Sequence, residues 1–152
     1  MRIESVKEAI GICYGEILAD ERTDVIIRQM PSGGFIDLLE IRAKAPEHTE
    51  AVRISTMILE VIEMIESAKE ASERESFYLK STIWALYGCS NKKFLGFTIT
   101  EIIESILINL VIEGKANKAK MSDFIAGLNI PQLMIKFLKY TEHIDSKNNF
   151  DL

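Results

Sequence analysis

Along the first twenty positions apolar residues return at intervals of three and four: Ile3, Val6, Ile10, Cys13, Ile17 and Leu18. That is the period of one face of an α-helix, so residues 3–19 are predicted as the first helix. Asp20 is placed to cap a short helix through Ile26 to Met30, with Glu21 and Asp24 near its positive end, and Pro31-Ser32-Gly33-Gly34 reads as the turn that ends it. Residues 35–41 are too short for periodicity to separate helix from buried strand, and helix is preferred up to the break at Pro46.

The longest regular pattern follows. Ala51, Ile54, Ile58, Val61, Ile65 and Ala68 step by three and four and fall on one stripe, widened by Met57 and Met64. At 100° per residue Glu60, Glu63, Glu66, Glu70 and Glu73 fall on the opposite side, a row of carboxylates facing water. The pattern loosens over 72–76 and restarts with Phe77, Leu79, Ile83, Trp84, Leu86 and Tyr87, leaving open whether 47–87 is one helix or two. Gly88 is expected to stop it in the left-handed region. Thr98 and Glu101 have the spacing of a capping box, and the helix they open, 99–113, has almost no polar face. It is predicted to be the enclosed centre of the fold, closed by Gly114. A further helix carries Met121, Phe124, Ile125 and Leu128, and Pro131 opens the last, through Leu133, Met134, Phe137 and Leu138.

The expected fold is therefore all-α: a single irregular bundle of six to seven helices over residues 1–146, followed by a polar tail, 147–152, that is flexible. No internal repeat or linker divides the chain. With 152 residues, 47% of them hydrophobic, and only three prolines, one core is the default.

Charge changes the picture only in part. The net charge is −5, but residues 1–75 hold 9 basic and 16 acidic side chains, whereas 76–152 hold 9 and 7. A general nucleic-acid binder is disfavoured, although Lys115, Lys118 and Lys120, with others of the second half, form a candidate basic patch. The most apolar stretch, Ile102 to Ile112, is about half the ~20 residues a membrane span needs. The acidic start leads into no apolar run of the kind a secretory signal carries, so a cytoplasmic protein is expected, with Cys13 and Cys89 reduced and in the core.

Candidate chemistry is sparse. His48 and His143 are the only histidines, and no zinc or di-iron ligand spacing is present, so neither metal nor cofactor is expected. Glu60-x-x-Glu63-x-x-Glu66 resembles the magnesium-binding carboxylates of all-helical nucleotide pyrophosphohydrolases. That family adds a second E-x-x-D helix shortly afterwards, and the only downstream pair here is Glu142 and Asp145 near the fraying end. Arg42 and His48 have a spacing that resembles the ribonuclease motif of helical nucleotide-binding domains of toxin systems, but Pro46 breaks the helix that would present them. Ala126-Gly127-Leu128-Asn129 resembles the turn of a helix-turn-helix. Its second helix would offer Ile130, Pro131, Met134 and Ile135 to the major groove, where base reading calls for Arg, Asn, Gln or Lys. Neither a nucleophile elbow nor a phosphate-binding glycine loop occurs.

By elimination the sequence reads as a non-catalytic protein-interaction module, an adaptor, chaperone-like or regulatory protein, acting through an apolar helical surface. The candidate surface is Ile54, Ile58, Val61 and Ile65, should that stripe stay incompletely covered, and homo-oligomerisation is expected from the excess of apolar stripe. Binding another protein is preferred; a nucleic-acid regulator using Lys115, Lys118 and Lys120, and then a helical hydrolase without a familiar motif, are the alternatives.

Overall fold

The helix expected at the centre is fixed at both ends by its own sequence. In the computed structural model, which describes residues 2–19, 50–67 and 73–144, Thr98 and Glu101 form the capping box. The Glu101 amide donates to Thr98 Oγ1 at 3.1 Å and the Thr98 amide donates to Glu101 Oε1 at 3.3 Å. At the other end Gly114 takes φ +75°. Its amide donates to the Val111 carbonyl and that of Lys115 to the Leu110 carbonyl, the paired bonds of a Schellman motif.

Six helices and one short hairpin are described: α1 Val6–Leu18, α2 Glu50–Ser67, α3 Glu73–Tyr87, β1 Lys93–Phe94, β2 Phe97–Thr98, α4 Ile99–Ile112, α5 Lys118–Leu128 and α6 Pro131–Thr141. The fold is an all-α bundle, 76% helical over the described residues. Among them no helix is long and apolar enough to cross a membrane.

α4 packs against α1, α3, α5 and α6. Its Ile102, Ile103, Ile106, Leu107, Leu110 and Val111 are fully enclosed, which is why a helix without a polar face is stable here. The stripe on α2 is covered within the chain. It packs chiefly on α1 and α3 rather than on α4, because α1 brings Val6, Ala9, Cys13 and Ile17 to the same core. α1 begins at Val6, later than the apolar period suggested. Ser5 caps it by accepting from the Glu8 amide at 3.0 Å, and Ile3 is buried ahead of the helix, its carbonyl accepting from Asn109 Nδ2 at 3.2 Å.

Two further differences have local causes. Gly88 does not adopt a positive φ; the chain leaves α3 through a tight turn in which the Gly88 amide donates to Trp84 and Ala85 and that of Cys89 to Leu86. The hairpin was not foreseen. Phe94 pairs with Phe97, and the two residues between them, Leu95 and Gly96, both hold positive φ (51° and 83°), as a type I′ turn requires. Both phenylalanines are buried and seat the start of α4. Cys13 is a core residue as expected, whereas Cys89 is only half-buried. The helices and turn expected between residues 20 and 46 lie outside the described residues, as does the tail.

Gly11 and Gly15 stand in the interior of α1 with open space where a Cβ would be. Each costs helix stability without easing a contact. Gly11→Ala and Gly15→Ala are each expected to raise the unfolding free energy by about 0.5–1 kcal/mol in urea titrations. A loss of stability would show that this face is packed against something.

Candidate functional site

One charged side chain of α4 departs from its apolar surroundings. Glu104 is buried, and its Oε1 accepts from Lys136 Nζ of α6 at 2.7 Å while Oε2 accepts from the Tyr87 hydroxyl of α3 at 3.3 Å. Three helices thus meet on one carboxylate. Burial, the adjacent Glu104 charge and the hydrogen bond to it push the Tyr87 hydroxyl far above the ordinary phenol range, so it stays a donor.

Beside this cluster an open-sided cleft of about 200 Å³ is lined by Arg2, Phe97, Glu101, Ser105, Asn109 and Tyr140, together with Glu104 and Lys136. The Arg2 guanidinium stacks on the Tyr140 ring, 4.1 Å from its centroid. The lining is charge-balanced: Glu104 is neutralised by Lys136, and Glu101 is held in the capping box. Its polar groups chiefly serve to fasten the amino-terminal segment and α6 to α4. Among the described residues no group of three or more His, Cys, Asp or Glu side chains converges to hold a metal ion.

The residues singled out in the sequence fall elsewhere. Ile54, Ile58 and Val61 are core, Ile58 and Val61 with no exposure, and Ile65 is half-buried against the core. The stripe is covered by the chain itself and does not present a contact surface; its period recorded packing on α1 and α3. Of the three lysines, Lys115 lies 3.6 Å from both Glu66 and Glu113, and Lys118 donates to the carbonyls of Thr141 and Ile144 at 2.7 Å each, closing the end of α6. Lys120 is exposed. The three do not form one open patch. Glu60 is half-buried and accepts from the Tyr78 hydroxyl at 2.9 Å; Glu63 and Glu66 face solvent. Arg42, His48 and Glu70 lie outside the described residues. In the turn before α6 it is Asn129, not Gly127, that takes the left-handed conformation, and Leu133 and Phe137 are buried, while Ile130 and Met134 are partly so.

What the periodic reading missed are apolar side chains pointing outward. On α3 the buried set is Leu79, Thr82, Ile83 and Leu86, while Phe77 and Trp84, seven residues apart on the other side, are 68% and 44% exposed. On α6, Ile135 and Leu138 are 67% and 50% exposed. For Phe77, Trp84 and Ile135 the signal was present: at 100° per residue they fall opposite their helices' core positions, whereas Leu138, four residues from Met134 and three from Thr141, borders the buried face. Comparison with protein families, with curated proteins and with solved structures yields no match for this chain.

Cys13 offers a check on the core. Burial, and secondarily Glu16, pushes its thiol from 9.0 up to about 12. The folded chain keeps a proton that the unfolded chain releases near 9, so this contribution is complete below pH 9 and is lost as pH rises toward 12. The raised Tyr87 hydroxyl acts in the same direction, beginning near its ordinary value of 10.0. Stability is expected to fall from about pH 9 upward, and Cys13→Ala to flatten the decline between 9 and 10. An unchanged pH profile in that variant would place the thiol in contact with water.

Proposed function

We propose that this chain is a non-catalytic, cytoplasmic protein-interaction module, and that the outward face of α6 seats an acidic, amphipathic segment of another protein. The observation that carries this reading is the pairing of Ile135 and Leu138, one turn apart and at least half exposed, with the exposed Lys139 beside them. Two apolar anchors beside a cation complement an apolar stripe bordered by carboxylates, the usual terms of recognition of an amphipathic helix. Lys139 stays close to its own helix, 5.5 Å from the Tyr140 ring centroid, so the adjacent charge is partly positioned in advance. The nucleic-acid alternative has less support, because Lys115 and Lys118 are engaged within the chain.

Photo-crosslinking in the producing cells tests the reading, with the reactive residue placed at Leu138 and, as a control, at Lys7 on α1. A polypeptide captured only from position 138, and lost on Ile135→Ser or Lys139→Glu, is the expected result. Equal capture from both positions, or none from 138, would overturn it.

A further inference from the structure

The cleft between the amino-terminal segment, α4 and α6 holds two polar groups whose bonding is incomplete. Asn109 is buried, and its Nδ2 donates to the Ile3 carbonyl at 3.2 Å. A carbonyl only accepts, so that bond fixes which way the amide points and leaves Oδ1 as an acceptor that no donor among the described residues satisfies. Among those residues Ser55 Oγ alone is a side-chain polar atom both sealed from solvent and unpartnered, so Asn109 Oδ1 keeps its contact with the cleft that Asn109 lines. The second group is the Arg2 guanidinium. It pairs with no carboxylate among the described residues and is held by the Tyr140 ring, so its fork of N–H donors is oriented but unspent. Asn109 bonds the residue next to Arg2, which brings the two groups to the same end of the cleft.

We infer that this cleft binds a free α-amino acid with an aliphatic side chain, its carboxylate on the Arg2 fork and its ammonium donating to Asn109 Oδ1. The rest of the lining agrees. Glu104 is neutralised by Lys136, and Glu101, engaged through Oε1 in the capping box, balances Arg2, so the cleft as a whole carries no net charge. A zwitterion preserves that balance, whereas a simple anion or cation leaves one charge without a counter-charge. Ile108 and Phe97, both buried, supply apolar wall for the side chain. A space of about 200 Å³ suits one molecule of amino-acid size. Lys136 and Tyr140, the residues α6 contributes, are turned about 100° or more from Ile135 and Leu138, so the cleft is separate from the outward face of α6.

Titration with L-leucine, followed in two-dimensional amide NMR spectra, tests the inference. The Asn109 side-chain amide and the backbone amides of Arg2 and Ser105 are expected to shift along one saturable curve. L-Leucinamide, which lacks the carboxylate, and N-acetyl-L-leucine, which lacks the ammonium, are each expected to bind about tenfold more weakly, and so is L-leucine to Arg2→Gln. Arg2 is exposed, so the spectrum of that variant should match the parent's away from the cleft. Absence of a saturable shift with L-leucine would overturn the inference. So would equal affinity for either analogue, or an affinity unchanged in Arg2→Gln. None of these outcomes touches the α6 reading, which is decided by crosslinking at Leu138.

Discussion

Replacing Lys136 with methionine should destabilise the protein by about 2 kcal/mol, and adding Glu104→Gln should recover most of that loss. Lys136 is the only cation within ion-pair distance of Glu104 among the described residues, and the carboxylate has 5% side-chain exposure against 48% for the lysine. Replacing the lysine leaves a buried charge on the wall of the cleft with one hydrogen bond from Tyr87. Breaking a fully buried pair costs roughly 3–5 kcal/mol, and the half-exposed lysine argues for the lower figure. Glutamine removes the charge while keeping an acceptor for Tyr87, so the double variant lacks the penalty rather than compounding it. A double-mutant cycle from urea unfolding measures the difference. Additive losses would mean that Lys136 stabilises through its stem and that the ion pair contributes little.

This cluster also marks where sequence reasoning stopped. Glu104 was visible as a polar residue in an apolar helix, but its partners lie 17 and 32 residues away on two other helices. No local period links them. The same limit applies to Glu113, whose Oε2 accepts from the Val6 amide across 107 residues and so caps α1 from the end of α4. What was legible was local: the Thr98 capping box, the stop at Gly114 and Pro131 at a helix start depend on three or four consecutive residues. Ser5-Val6-Lys7-Glu8 carries a similar start signal, which the apolar period beginning at Ile3 obscured. The hairpin escaped because each strand is two residues long and the turn is Leu-Gly rather than Asn-Gly.

Surface and core were harder to separate than helix and turn. An apolar residue in a helical pattern is normally assigned to the core, and the assignment holds for Leu79 and Ile83 while failing for Phe77 and Trp84 on the same helix. The converse error concerned α2. Its heptad-like spacing suggested a seam for a second helix, and that seam is filled from within the chain by α1 and α3. A regular apolar period shows that a stripe is covered but is silent on whether the cover is the same molecule.

Ile58→Ala decides that question for α2. With no exposure and a place in the core, Ile58 is expected to lose about 3 kcal/mol on truncation, the sum of lost transfer energy and the cavity left where α1 and α3 cannot fully close. Ile135→Ala, at an exposed position of α6, should change stability by no more than about 0.5 kcal/mol. The two roles differ in how they depend on protein concentration. A core residue lowers the urea midpoint equally at every concentration, because folding within one chain has no mass-action term. A seam between subunits would give a loss that shrinks on dilution, as the association it supports is lost from the parent as well. An Ile58→Ala midpoint that shifts by the same amount over a hundredfold dilution places the stripe inside the chain. A shift that narrows on dilution would return it to an interface and remove the reason for seeking a contact surface elsewhere.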